Sequence, residues 1–264
     1  MSSYPERLAV LEARLASLTD VAVAFSGGVD SSVLLHAAHG ALGRRAVGVL
    51  GDSPSLPRRE LAEALAFARA IGARLVVLPT DELDAAGYRA NQGERCYFCR
   101  HTLFTAMEGW ARENGFTTLA YGEITDDLAE VRPGRRAARE LRVVTPLSDA
   151  DFSKDDVRRY AREHGLSVAE KPASACLSSR IPLGTMVTAE RLKRIELAEE
   201  SVRALRFRVL RVRDHGQRAR LELGPEELAR AQDQLEELRR ALLPLGFTEL
   251  ELAPYARPLA LERG

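Results

Sequence analysis

The sequence predicts an α/β protein, in which a doubly wound, five-stranded parallel sheet is followed by a smaller α+β domain. Three observations carry this. Short apolar runs alternate with stretches of helical period through the first 150 residues. Those runs are largely apolar throughout, as strands buried on both faces must be. Beyond about residue 185 the strands alternate apolar with charged residues, as in a sheet with one face in water.

Taken in order, MSSYPERLAVLEARLASL predicts a helix over 4–18, and the charges within it exclude a secretory signal. VAVAF (21–25), between Asp20 and Gly27, is the first strand. A helix over 31–42 leads to the second strand, AVGVL (46–50). The helix over 59–72 has Gly72 where a left-handed residue closes a helix, and RLVVL (74–78) follows. A helix over 100–114 ends at Asn114-Gly115, before the strand TTLAY (117–121). LRVVTP (141–146) supplies the fifth strand, ended by Pro146. In SKDDVRRYAREHG, Ser153 and Asp156 stand at N-cap and N3 spacing. KPASACLSSRIPLG is irregular by composition. A helix (188–205), strands FRVLRVR (207–213) and RARLEL (218–223), a helix (225–243) and the strand FTELELA (247–253) complete the pattern. The expected division is 1–150, a connecting segment 151–185, and 186–264.

A chain of 264 residues with 45% hydrophobic and 29% charged residues is ordinary for a globular protein. No apolar run approaches the roughly 20 residues of a membrane span. A cytoplasmic protein without a membrane partner is expected, and three cysteines do not make a disulfide scaffold. The net charge of +0 gives no general pull toward nucleic acid. Of the 38 basic residues only Lys154, Lys171 and Lys193 are lysines. An arginine cluster is therefore weak evidence for an anion site, and the three lysines tell more.

Directly after the first strand stand Ser26, Gly27, Gly28, Val29, Asp30, Ser31 and Ser32, opening a helix. Two glycines let the backbone turn tightly and present N–H groups to an anion, and the helix N-terminus and hydroxyls add to the same site. Asp30 repels phosphate by itself, so its place in such a loop makes sense as a ligand of Mg²⁺. No lysine follows the glycines, which excludes the GxxxxGK[ST] loop. RCYFCR (95–100) holds two of the three cysteines, Cys96 and Cys99; Cys176 stands apart. From the residues alone, three readings stay open. The pair is part of a metal site (with His101, a Cys₃His zinc set), a redox pair, or core packing in register with Leu103, Met107 and Trp110.

The SGGVDS loop resembles that of the PP-loop ATP pyrophosphatase superfamily, whose Rossmann-type, HUP-like members grip the pyrophosphate of ATP and adenylate a substrate oxygen. Within it the chain resembles the LarE family of pyridinium-3,5-biscarboxylic acid mononucleotide sulfurtransferases, which build the nickel-pincer cofactor of lactate racemase. The resemblance lies in SGGVDS at 26–31, RCYFC at 95–99, RPG at 132–134, SACLSSRIPLG at 174–184, Ala198-Glu199, and RVR at 211–213 with RARLEL beyond. It implies an enzyme that converts a carboxylate to an acyl-adenylate, with Mg²⁺ assisting, and then to a thiocarboxylate. It implies adenosine near Asp52 and Ser53, and a substrate phosphate held by Ser179, Arg180, Arg211 and Arg213. It implies that Cys176 bears the sulfur, in one of two ways. Either Cys176 surrenders its own sulfur once, or Cys96, Cys99 and Cys176 hold a [4Fe–4S] cluster whose fourth iron carries a sulfide. The cluster is the reading that three cysteines favour. A homo-oligomer, a hexamer in the family, is also implied.

Several residues keep two readings. Glu199 is a base or orienting carboxylate near Cys176, or a surface helix glutamate. Arg211 and Arg213 share one strand face and clamp a phosphate, or line a solvated edge. Asp126 and Asp127 hold Mg²⁺ or substrate, or shape a turn, and 132–142 is read mainly as a solvated basic face. Two other functions compete with the sulfurtransferase. Thiolation of tRNA would require a basic RNA surface, which the neutral charge argues against. An ATP-binding regulator would show no turnover and would tolerate Cys176→Ala.

Overall fold

The computed structural model describes residues 2–129, 133–172 and 175–255. In chain order the first elements are α1 (Tyr4–Ala16), β1 (Val21–Ala24), α2 (Val29–Leu42), β2 (Ala46–Asp52), α3 (Arg58–Ala70) and β3 (Arg74–Pro79). They are followed by α4 (Ala86–Ala90), α5 (Arg95–Asn114), β4 (Leu119–Tyr121), α6 (Pro133–Glu140), α7 (Pro146–Asp149) and α8 (Lys154–Glu163). The last are α9 (Ala189–Ala204), β5 (Leu210–His215), β6 (Arg218–Leu223), α10 (Leu228–Asp233), α11 (Leu235–Leu242) and β7 (Glu249–Pro254). Residues 1–85 with 94–174 make one compact unit; 86–93 with 175–264 make a second.

In the first unit four parallel strands stand in the order β3-β2-β1-β4. Val21, Ala22, Val23, Val47 and Val49 are fully buried, which is what the unbroken apolar runs require. The chain moves outward from β1 through β2 to β3, then returns to the far side of β1 for β4. The strand order therefore reverses at β1, and open α/β sheets bind ligands in the crevice beyond the strand C-termini at such a point. The SGGVDS loop leaves β1 there.

The expected fifth strand over 141–146 is not formed. Only Val144 pairs with the sheet, in a single parallel bridge to Ala120. Two local constraints explain this. Arg142 takes a left-handed backbone (φ 53°) just past the end of α6, and Pro146 opens α7. Too little extended chain is left between them for a strand. The predicted capping box of α8 is formed: the Asp156 carboxylate accepts from the Ser153 N–H at 2.9 Å, and Ser153 Oγ accepts from the Asp156 N–H at 3.2 Å. Asp156 also holds Arg7 of α1 through two hydrogen bonds, of 2.7 and 3.1 Å.

The second unit carries a three-stranded sheet, β5-β6-β7, antiparallel between β5 and β6 and parallel between β6 and β7. Its buried face, with Val212, Leu221 and Leu223, packs with Ala198 and Val202 of α9 and with Leu238 and Phe247. The helix expected over 225–243 is broken into a 3-10 turn, α10 and α11. The last break falls at Gln234, whose backbone (φ −98°, ψ 19°) leaves the helical region. Segment 86–93 joins this unit through Asn91, whose Nδ2 donates to the carbonyls of Pro182 (2.7 Å) and Thr185 (3.0 Å).

Candidate active site

The loop after β1 is shaped by its own short side chains. Gly27 has φ +72°, and a Cβ there would stand 3.1 Å from Ala64 Cβ, so both conformation and space require glycine. Gly28 is the N-cap of α2 and has no side chain to satisfy the first amides of the helix. Ser31 Oγ donates to the Gly28 carbonyl (3.1 Å), accepts from the Ser26 N–H (3.2 Å) and lies 3.1 Å from Ser26 Oγ. The result is a rigid helix N-terminus with backbone N–H groups available to an anion. Ser32 is fully buried, and among the described residues its hydroxyl has no hydrogen-bond partner.

Two of the three lysines converge on this loop. Lys154 Nζ lies 2.8 Å from each oxygen of the Asp30 carboxylate. Asp30, expected to bind Mg²⁺, is thus held in a two-pronged ion pair by the first residue of α8. Lys171 Nζ donates to the Gly27 carbonyl at 3.2 Å. The scarcity of lysine was the one sequence signal for both. Gly122, just past β4, had none: a Cβ there would stand 2.9 Å from the Asp30 carbonyl carbon and the Ser31 nitrogen. Asp52 pairs with Arg58 at 2.7 Å. Ser53 is buried, and its hydroxyl, like that of Ser55, donates to the buried Glu82 carboxylate. Asp126 accepts the Lys154 N–H at 2.8 Å and Asp127 accepts the Ile124 N–H at 3.4 Å, so both act in turn and cap geometry.

Cys96 and Cys99 lie in the first turn of α5, three residues apart on one side of the helix. Cys96 is exposed and Cys99 partly so, which overturns the core-packing reading for Cys96; Met107, further along, is fully buried. The segment read as a solvated basic face is instead α6 packed on α5. Ala137 and Ala138 are buried, Arg136 lies 3.8 Å over the Tyr97 ring, and Arg135 pairs with buried Glu123 at 2.9 Å. Arg132 of the RPG match lies outside the described residues. Among the described residues, no three His, Cys, Asp or Glu side chains are grouped so as to hold a metal ion.

The second unit holds six of the predicted residues, five of them linked by hydrogen bonds. Cys176 is exposed and caps the 3-10 turn Leu177–Arg180, its carbonyl accepting from Ser179 Oγ (2.8 Å) and Arg180 Nη1 (3.0 Å). Arg180 is buried and pairs with Glu199 at 2.9 Å. Glu199 is only 2% exposed and also accepts the Val212 N–H (3.2 Å) and Arg203 (3.2 Å). It is no surface glutamate; its carboxylate is saturated by donors and orients Arg180. Arg213 donates to the Ser179 carbonyl (3.1 Å) and pairs with Glu222.

Arg211 is the exception. It is 5% exposed, yet among the described residues its guanidinium makes no hydrogen bond or ion pair, and it lies 4.8 Å over the Tyr255 ring. Burial first, and then the nearby Arg180, pull its pKa below the ordinary arginine value. Glu222, its register partner on β6, attracts it without forming an ion pair and is itself paired with Arg213. The buried charge of Arg211 is therefore incompletely compensated, which is costly, and an anion brought to it relieves that cost. The solvated-edge reading of Arg211 is therefore overturned.

No protein-family model matches the chain. A pyridinium-3,5-bisthiocarboxylic acid mononucleotide synthase of Lactiplantibacillus plantarum is 35% identical over 256 residues, 96% of this chain and 92% of that protein. The chain belongs to the LarE family. Two uncharacterized proteins are also similar. One, from Synechocystis, is 38% identical over 87% of both chains, and one from Methanocaldococcus jannaschii is 28% identical over 87% of both. No helix among the described residues of this LarE-family chain is long and apolar enough to cross a membrane.

Proposed function

We propose that the chain is an ATP-dependent sulfurtransferase that converts a carboxylate of a pyridinium mononucleotide to a thiocarboxylate, with neither nucleic acid nor membrane as partner. The observation that carries this reading is the likeness, over nearly the whole of both chains, to a synthase of that product. The rigid anion loop and the unpaired Arg211 support it. In the first step a substrate carboxylate oxygen attacks the α-phosphorus of ATP, and pyrophosphate leaves. The loop N–H groups receive the charge that develops on the departing phosphates. Asp30 would hold Mg²⁺, which neutralises phosphate charge, and Lys154 would then be released toward the phosphates. Arg211 would take the nucleotide phosphate of the substrate, with Arg213 and the Glu199-oriented Arg180 beside it.

Sulfur then replaces AMP on the activated carbon. In one route the Cys176 thiolate attacks that carbon and AMP leaves as a thioester forms. Loss of the Cα proton and cleavage of the Cβ–S bond then yield the thioacid and dehydroalanine. The exposure of Cys176 is compatible with this route. In the other, Cys96, Cys99 and Cys176 would be the thiolate ligands of a [4Fe–4S] cluster, which supplies a transferable sulfide.

Iron and acid-labile sulfide measured after anaerobic purification, beside a Cys96→Ser control, separate the two. About four irons per chain, lost in the control, support the cluster. No iron, with dehydroalanine at 176 after one turnover, supports sacrifice. Failure of the folded chain to release pyrophosphate with ATP and the dicarboxylic mononucleotide would overturn the proposal.

A further inference from the structure

Lys171 is the lysine whose ammonium reaches the backbone of the anion loop. Nζ donates to Glu60 Oε2 at 2.7 Å and to the Gly27 carbonyl at 3.2 Å, and it pairs with Glu63 Oε2 at 3.0 Å. Its side chain is 15% exposed. Burial works against its charge, and the hydrogen bonds to Glu60 and Glu63 more than restore it, so its pKa stands above the ordinary lysine value. Glu60 and Glu63 belong to α3, as does Ala64, which closes the space beside Gly27. Lys171 and α3 thus enclose one side of the Gly27–Gly28 peptide.

That enclosure fixes a direction. In a trans peptide the C=O and N–H point opposite ways. With the Gly27 carbonyl turned toward Lys171, the Gly28 N–H must point away from it, where it donates a long hydrogen bond to Ser26 Oγ (3.4 Å) that an incoming anion would replace. A peptide between two glycines is among the easiest to flip, because both residues tolerate either sign of φ. Flipped, it would present a carbonyl lone pair to an incoming anion and repel it. An ion pair with Glu60 and Glu63 alone would not prevent this; the third bond, to the Gly27 oxygen, does.

We propose that Lys171 is a positioning residue that locks the Gly27–Gly28 peptide so that its N–H faces the pyrophosphate portion of ATP. The proposal rests on the ATP reading given above. It separates the two loop lysines: Lys154 engages the side chain of Asp30, whereas Lys171 acts through the backbone.

The test uses the full chain labelled with ¹⁵N-glycine and titrated with Mg²⁺ and pyrophosphate, following the Gly28 amide and the Kd. In the native chain the Gly28 resonance shifts on binding. Lys171→Met is expected to weaken binding about tenfold, the scale of one charge-assisted hydrogen bond, and to abolish most of the Gly28 shift. Lys171→Arg restores much of both. Because Lys171→Met strands two carboxylates, a Lys171→Met/Glu60→Gln/Glu63→Gln variant keeps the test decisive if the single variant unfolds; it too should bind weakly. A folded variant lacking Lys171 that binds with native affinity and native Gly28 shift overturns the proposal. Failure of the native chain itself to bind pyrophosphate or ATP removes the ATP reading, and the proposal with it.

Discussion

At the scale of the residue, the anion loop depends on groups that touch it from elsewhere in the chain. Gly122 is the most sharply constrained. An added methyl would lie 2.9 Å from backbone atoms of Asp30 and Ser31, and backbone cannot yield as a flexible side chain can. Gly122→Ala should cost about 2 kcal/mol of stability and push the start of α2 out of register with its loop. The expected outcome is a loss of pyrophosphate release of at least about tenfold in protein that still folds, since a shift of 1 Å can cost a hundredfold. Urea unfolding and a pyrophosphate assay on the same preparation check it. Native activity in Gly122→Ala would show that the loop tolerates displacement. Nothing in the sequence around GEITDD marks this glycine, because the clash is with residues some 90 positions earlier.

At the scale of the element, α8 is the strut that brings Lys154 to Asp30, and Asp156 anchors that strut. Its carboxylate closes the capping box with Ser153 and holds Arg7 of α1. Burial alone would raise its pKa, but hydrogen bonds from Arg7 and Ser153 hold it below the usual carboxylate range. The sign follows from the depressed value. The stabilisation is fully present above the unfolded pKa of about 3.9 and is lost as pH falls through the lower folded value. Asp156→Ala should cost about 2 kcal/mol at neutral pH, combining a lost cap with a lost ion pair. The difference from the native chain should shrink below about pH 4. Urea midpoints at pH 7 and pH 3 measure this; an equal gap at both would assign the loss to packing. The capping box was legible in SKDD, and the Arg7 clasp, across 149 positions, was not.

At the scale of the whole molecule, chain order and spatial order part company at residues 86–93. This segment is flanked by the first unit in sequence but belongs to the second. Asn91 makes it do so. It is buried, sits in the left-handed region (φ 53°), and braces the carbonyls of Pro182 and Thr185. Its own carbonyl accepts from the Gly184 N–H at 2.9 Å. Asn91→Ala should cost about 2 kcal/mol, since it removes the side-chain donor to both carbonyls and leaves Pro182 with the Thr185 N–H alone. It should also speed amide exchange across 181–187 while leaving β5 to β7 protected. Unchanged exchange there would show that the backbone bonds alone hold the loop.

The sequence by itself determined the strands β1 to β3, the amphipathic helices between them, the glycine loop and the residue set of the second unit. The strands, helices and loop follow from short-range periodicity and turn chemistry, whereas the residue set of the second unit was implied by the resemblance to the LarE family. The fifth strand failed for a local reason too, the left-handed Arg142 followed by Pro146, but propensity weighed the apolar LRVV more heavily. Only the tertiary structure decided that Glu199 is buried as the partner of Arg180, that Arg211 is left as a buried cation, and that two of three lysines close on one loop. Such facts depend on which side chains meet across 19 to 144 positions. The energy of a charge is set by what surrounds it, and a linear sequence does not state its surroundings.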